Sequence, residues 1–195
     1  MKIGVLALQG AFIEHSKMLA RLGVKAVDVR LPHQLADLDG LIIPGGESTT
    51  IGKLASAYGL VKPLRQFAAA KPTWGTCAGM IFLAKDIGSQ QQPILGSMDI
   101  AVDRNAFGRQ IDSFETDLAI AELGALPFHA VFIRAPVVKA VASSVAVLAR
   151  LADGRIVAVR QQRLLATAFH PELTDDLRLH EYFCGIVKCT IKPHA

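Results

Sequence analysis

Short apolar runs alternate with helical periodicity through the first half of the chain. Residues 2–8 (KIGVLAL) read as a buried strand. Residues 11–22 follow with Phe12, Met18, Leu19 and Leu22 at helical spacing, and Gly23 stops that helix. Residues 25–30 and 40–43 read as further strands, joined by a connection at 32–39 with room for one helical turn. Ser48 or Thr49 is expected to cap a helix running to about Tyr58. A second helix is expected at 61–70, with Pro63 tolerated in its first turn. A short strand at 73–76 and a helix at 78–85 complete this half.

The second half reads differently. Strands are expected near 94–102, 113–120, 130–133, 145–151, 156–161 and 164–169, and Asp153-Gly154 reads as a hairpin turn. A helix is expected over 174–188. Strand–helix alternation followed by hairpins predicts an α/β fold of three layers: a mostly parallel central sheet flanked by helices, with an antiparallel extension. No Pro/Gly/Ser linker divides the 195 residues, so one domain over 1–195 is expected.

Composition narrows the function classes. Hydrophobic residues are 51% and charged ones 19%, which excludes disorder. The most apolar run, 140–149, is too short to span a bilayer and holds two serines. No signal peptide is read at the N-terminus. The net charge of +4 comes from scattered basic residues without aromatic interleaving, so nucleic acid is not an expected partner. Three cysteines without a C-x-x-C pair suit a reduced, cytoplasmic chain. Cys184 and Cys189 fall in the C-terminal helical stretch and read as packing residues. His15, His33, His129, His180 and His194 show no metal-ligand spacing and read as structural or exposed, so neither metal nor cofactor is expected.

Cys77 stands in Gly75-Thr76-Cys77-Ala78-Gly79, between a strand and a helix. A nucleophile on such a tight turn needs small neighbours two before and two after, because the turn brings them together. The following helix start favours a thiolate, and the Ala78 amide is placed to hold an oxyanion. The same pattern also fits a buried structural cysteine. His170-Pro171-Glu172 follows a strand. Residues two apart on an extended chain share a face, so imidazole and carboxylate can converge at the strand's end. His170 would then move the proton and Glu172 orient the ring; an ordinary surface loop is the alternative. Residues 44–50 (PGGESTT) form a glycine turn after a strand, open to phosphate, oxyanion or plain-turn readings, without a nucleotide fingerprint.

The order of glycine turn, cysteine elbow and late His-x-Glu resembles the class I, triad-type glutamine amidotransferases, whose sheet is flavodoxin-like. Within them, IGVLALQGAFIEH at 3–15, PGGESTT at 44–50, GTCAG at 75–79, RNAFGRQIDSFE at 104–115, FIRAP at 132–136 and FHPELT at 169–174 are similar to the glutaminase subunits of pyridoxal 5′-phosphate synthase, the PdxT/Sno type. The resemblance implies a Cys77–His170–Glu172 triad and glutamine contacts from Gly46, Glu47, Ser48, Arg104, Ile133 and Arg134. It also implies an oxyanion hole from the Gly46 and Ala78 amides. The implied reaction hydrolyses L-glutamine through a γ-glutamyl thioester and passes ammonia to a (β/α)₈-barrel synthase subunit in a large hetero-oligomer. A guanidinium suits the substrate's α-carboxylate.

Two rival readings keep parts of this pattern. One is the glutaminase subunit of another biosynthetic pathway; the other is a cysteine-elbow stress protein on the same sheet, in which the histidine typically adjoins the elbow. A non-catalytic binding domain is a third, opposed by the intact triad. The Gly45–Gly46 peptide is the expected gate on activity, because glycine peptides flip at low cost and the Gln9-Gly10 loop is expected beside it.

Overall fold

A computed structural model describes residues 1–89, 91–104 and 113–191. The RNAFGRQ motif beyond Arg104 and His194 lie outside the described residues. Strands β1 (Lys2–Leu6), β2 (Lys25–Val29) and β3 (Gly40–Ile43) alternate with helix α1 (Phe12–Arg21). Helices α2 (Ser48–Ala57) and α3 (Val61–Ala70) lead into β4 (Thr73–Thr76) and α4 (Ala78–Leu83). Then come β5 (Ala84–Asp86), β6 (Met98–Asp103), β7 (Ser113–Leu118), β8 (Phe128–Ile133) and β9 (Val137–Val141). The last strands are β10 (Ala146–Arg150), β11 (Ile156–Gln161) and β12 (Leu164–Thr167), before helix α5 (Arg178–Ile191).

The large sheet runs β2-β1-β3-β4-β12-β11-β9-β6-β5, with β10 paired to β11. Its first five strands are mutually parallel. β11 and β9 continue it antiparallel. Strands β3, β4 and β12 are buried along their whole length, as interior parallel strands covered on both faces are. The pair β7–β8 instead alternates buried and exposed positions and lays one face on the main core. There Phe132 stacks on Phe114 and meets Phe169 at 5.5 Å.

Several boundaries differ from the sequence expectation. The helix after Cys77 ends at Leu83, because the next three residues pair with β6 rather than continue it. The strand expected from residue 94 begins only at Met98; the peptides before it are spent on α4, with Leu95 N–H donating to the Phe82 carbonyl and Ser97 N–H to the Leu83 carbonyl. β9 was hidden because its outer positions carry Lys139 and Ala140 behind Pro136. The final helix starts at Arg178, since Thr174 and Asp176 form side-chain turns that delay it. The cap of α2 is Glu47, not Ser48 or Thr49: its carboxylate accepts from the Thr49 and Thr50 amides at 3.0 and 2.7 Å. The Asp153-Gly154 turn stands as expected, with Gly154 at φ 88°.

On the outer face of β7–β8, the His129 ring nitrogens lie 2.9 Å from both Asp117 and Glu115. Both nitrogens donate only when the ring is charged. Hydrogen bonding to Asp117, then to Glu115, raises the histidine above 6.5. A raised folded-state value means the stabilisation is complete below pH 6.5 and disappears as pH climbs through the raised value. Amide protection factors in β7 and β8 should therefore fall over that range, modestly because the site is exposed. His129→Gln should flatten the change; an equal fall in that variant would rule the bridge out as its cause.

Candidate active site

The sheet's winding reverses between β1 and β3, which opens a crevice at the carboxyl ends of the parallel strands. β1 leads to Gln9-Gly10, β3 to Gly45-Gly46, β4 to Cys77 and β12 to His170. Four segments distant in sequence thus meet because four neighbouring strands point the same way.

Cys77 sits at φ 48° and ψ −106°, a conformation costly for a residue with a Cβ. Its surroundings hold it there. Its N–H donates to the Thr167 carbonyl at 2.8 Å, and its own carbonyl accepts from Met80 and Ile81 at 3.1 and 3.3 Å. A Cβ at Gly75 would overlap the Gly79 carbonyl oxygen, and one at Gly79 would overlap the Ile43 carbonyl oxygen. This is the crowding anticipated from the Gly-x-Cys-x-Gly spacing. Ala78 opens α4, so its N–H has no partner inside the helix.

His170 arrives differently from the expectation. β12 ends at Thr167, and Pro171–Leu173 form a 3₁₀ turn rather than an extended segment. The turn folds Glu172 back, so that its Oε1 lies 2.7 Å from His170 Nδ1. His170 N–H donates to the Val131 carbonyl at 2.8 Å, anchoring the loop to β8. Burial disfavours charge on His170, yet hydrogen bonds with Cys77 and Glu172 overcome it and raise the ring to about 10. Burial likewise pushes Glu172 up, but His15 and His170 hold it below the ordinary carboxylate range. The ring therefore carries a proton beside the ionised Glu172 carboxylate.

Cys77 and His170 open into a cavity of about 370 Å³. Gly46, Glu47, Ser48 and Arg104 form one wall, Ile133 and Arg134 another, and Ala78 lies at its base. Glu172 stays behind His170, away from the cavity. Arg134 takes φ 43°, and Cys77 Sγ lies 3.9 Å from the Ile133 carbonyl oxygen. Arg104 donates to Gln92 at 2.7 Å and to Glu47 at 3.2 Å. Glu47 is lowered to about 2: burial opposes this, and hydrogen bonds from Thr50 and Thr49 outweigh it. The Ser48 hydroxyl is directed to Gln92 at 3.4 Å.

The glycine turn packs directly on the triad. A Cβ at Gly45 would overlap His170 Cε1 and lie 3.2 Å from Cys77 Cβ. Its carbonyl accepts from Ala11 N–H at 3.1 Å, and Glu47 N–H donates to Gln9 Oε1 at 2.7 Å. The 9–11 loop therefore lies beside the turn, as expected.

Three participants were not singled out from sequence. Gln92 ties Arg104 to α2 across the cavity wall. His15 and His180, read only as structural, are fully buried behind Glu172. Their contacts span 61 to 165 residues, beyond any local pattern.

Comparison with known proteins follows this geometry. The model of the SNO glutamine amidotransferase family matches residues 5–189. A pyridoxal 5′-phosphate synthase subunit PdxT from Herpetosiphon aurantiacus is 62% identical over 190 residues, spanning 95% of this chain and 100% of that protein. The subunit of the same name from Carboxydothermus hydrogenoformans is 60% identical over 184 residues, 94% of this chain and 96% of that one. A crystal structure of a glutamine amidotransferase superposes with a TM-score of 0.90 at 52% identity, over 95% of this chain and 98% of that chain. PurLQS from Thermotoga maritima, with a TM-score of 0.67 at 16% identity, shares the fold alone. With 185 of its residues under one family model, this chain belongs to the SNO glutamine amidotransferase family.

Proposed function

We propose that the chain is the glutaminase subunit of a pyridoxal 5′-phosphate synthase, a single glutamine amidotransferase domain over residues 1–195. The observation that carries the chemistry is the charged His170, held 2.7 Å from Glu172 and hydrogen-bonded to Cys77 at the floor of the cavity. The names of the relatives support the assembly. The Cys77 thiolate attacks the side-chain carbonyl carbon of L-glutamine. The oxyanion is held by the Gly46 and Ala78 amides. His170 gives its proton to the departing nitrogen, ammonia leaves, and a γ-glutamyl thioester remains. Water attacks the thioester as His170 takes up its proton; glutamate departs and the thiolate is restored. Glu172 aims the ring and stabilises its charge. Arg104 and Arg134 are suited to the α-carboxylate, with Glu47, Ser48 and Ile133 shaping the remainder of the site.

Ammonia then passes to a (β/α)₈-barrel synthase subunit in a hetero-oligomer. The chain works in the cytoplasm and needs no metal or cofactor of its own. Among the described residues no helix is long and apolar enough to cross a membrane. Partner dependence has a physical route. Flipping the Gly45–Gly46 peptide must break the Ala11–Gly45 bond, so pressure on the 9–11 loop acts on the oxyanion hole.

Three measurements test this reading. Glutamate release should be nearly silent for the chain alone and switch on when a pyridoxal 5′-phosphate synthase barrel subunit is added; equal activity alone would remove the gate. In the assembled complex, Cys77→Ala should abolish release while Cys184→Ala leaves it, and Glu172→Gln should lower kcat by about 10²–10⁴. Substantial activity in Cys77→Ala would overturn the nucleophile. Gly45→Ala places a methyl group against His170 and Cys77, so kcat should fall by roughly 10² through misplacement of the reacting groups. Wild-type kcat in that variant would mean the contact does not constrain the triad.

A further inference from the structure

Behind the triad lies a row of buried polar side chains that the reaction steps leave unused. His15 from α1, Thr76 at the end of β4 and His180 from α5 are each 0% exposed. His15 Nε2 lies 3.3 Å from Glu172 Oε2 and 3.2 Å from Thr76 Oγ1. His15 Nδ1 lies 3.0 Å from His180 Nε2. Trp74 packs edge-on against both rings, with centroids at 5.6 and 4.9 Å, and keeps the cluster dry.

Proton counting selects one arrangement. Burial lowers His15, and burial, followed by the repulsion a protonated His15 would exert, pushes His180 down to about 2, so both rings are neutral. A neutral imidazole has one donor and one acceptor. If His15 carried its proton on Nδ1, it would donate to His180 Nε2. The His180 proton would then sit on Nδ1, which is buried with no hydrogen-bond partner among the described residues. The bare Nε2 of His15 would also face a carboxylate oxygen. The opposite tautomer avoids both costs. His180 Nε2–H donates to His15 Nδ1, and His15 Nε2–H points between Thr76 Oγ1 and Glu172 Oε2. Only the lone pair of His180 Nδ1 goes unsatisfied, and a buried orphan acceptor is tolerated better than a buried orphan donor.

Glu172 Oε2 needs that donor. It is buried without a hydrogen-bond partner among the described residues, and His15 Nε2 lies 3.3 Å from it. We infer that His15, fixed as the Nε2–H tautomer by His180, is a positioning residue for the reaction. It holds the second carboxylate oxygen of Glu172, so that the first stays ionised and aimed at His170 Nδ1. The inference rests on the proposed triad. Without the His15 donor, burial would protonate Glu172 at higher pH. Until Glu172 ionises, His170 lacks the carboxylate that stabilises its charge, so the working form of the site, with Glu172 ionised, would be reached only at higher pH. The titratable groups facing this pair are Cys77, His170 and His180, together with Glu14, Lys17 and Arg21 of α1 and Asp175 around the outer cleft beside Glu172.

The test uses the complex with the barrel subunit and two substitutions. His15→Phe keeps a ring and removes the donor; His15→Gln keeps a donor near the Nε2 position. In His15→Phe, kcat should fall about 10- to 100-fold while KM for glutamine moves less than about threefold, since His15 does not line the glutamine cavity. The acid limb of the kcat/KM–pH profile should move up by roughly one unit. His15→Gln should recover most of the loss. Alkylation of Cys77 by iodoacetamide, followed on its own peptide in the free chain, should show the same shift of the acid limb. The double variant with Glu172→Gln should be no slower than Glu172→Gln alone, because His15 acts through that carboxylate.

An unmoved pH profile in His15→Phe overturns the inference. So does equal loss in His15→Phe and His15→Gln, or additive loss in the double variant. If His15→Phe does not fold, His180→Leu provides the same readout by releasing the tautomer, with a smaller shift in the same direction; no shift there overturns the inference as well. Failure of the triad itself is separable, since Glu172→Gln alone would then retain wild-type kcat and pH profile.

Discussion

A cysteine is held at φ 48° between two glycines, and the site is arranged around keeping it there. Such a backbone conformation costs of order 1–3 kcal/mol and persists only where its surroundings over-determine it. Here β4 is paired on both edges, to β3 and β12, and the amide and carbonyl of Cys77 are each tied down. The neighbours at 75 and 79 are stripped of side chains because two carbonyl oxygens occupy the positions their Cβ atoms would take. Ala78, the first residue of α4, follows the cysteine directly, and both line the cavity. A central strand can bear this load where an edge strand would deform.

The second constraint is electrostatic. Glu172 and His170 are both largely buried, where an unpaired charge is very expensive. The arrangement is stable because the His170 imidazolium meets the Glu172 carboxylate at 2.7 Å and hydrogen-bonds with Cys77. Those contacts explain how a histidine can be raised to about 10 inside an apolar sheet. The same low dielectric strengthens every hydrogen bond in the set and penalises any bond left unmade.

What the sequence revealed follows from how far each signal reaches. The elbow was legible because its requirement is local: glycines two before and two after the cysteine. The parallel core was legible because strands such as GLII are apolar on both faces. His170 and Glu172 could be named, but their geometry could not, since a 3₁₀ turn and an extended segment both bring residues two apart together. The capping residue of α2 was misjudged because Glu47 is an uncommon cap, selected here by the tight turn before it and by its pairing with Arg104. Gln92, His15 and His180 act only through partners far along the chain, so no periodicity or spacing marks them.

Those distant partners converge on one hydroxyl. Thr76 Oγ1 accepts the Gly45 N–H at 3.0 Å and lies 3.2 Å from His15 Nε2. Gly45 belongs to the glycine turn, whose carbonyl is held by Ala11 just before α1, and His15 is carried by α1 itself. The glycine turn and the Glu172 carboxylate are therefore fixed to the same helix and the same threonine. A displacement of α1 of even a few tenths of an ångström would strain both at once, because close-packed interiors transmit strain rather than absorb it. The fold thus ties Cys77, the His170–Glu172 pair and the glycine turn to a shared frame. The part of that frame nearest the surface is the segment between Gln9 and the first turn of α1.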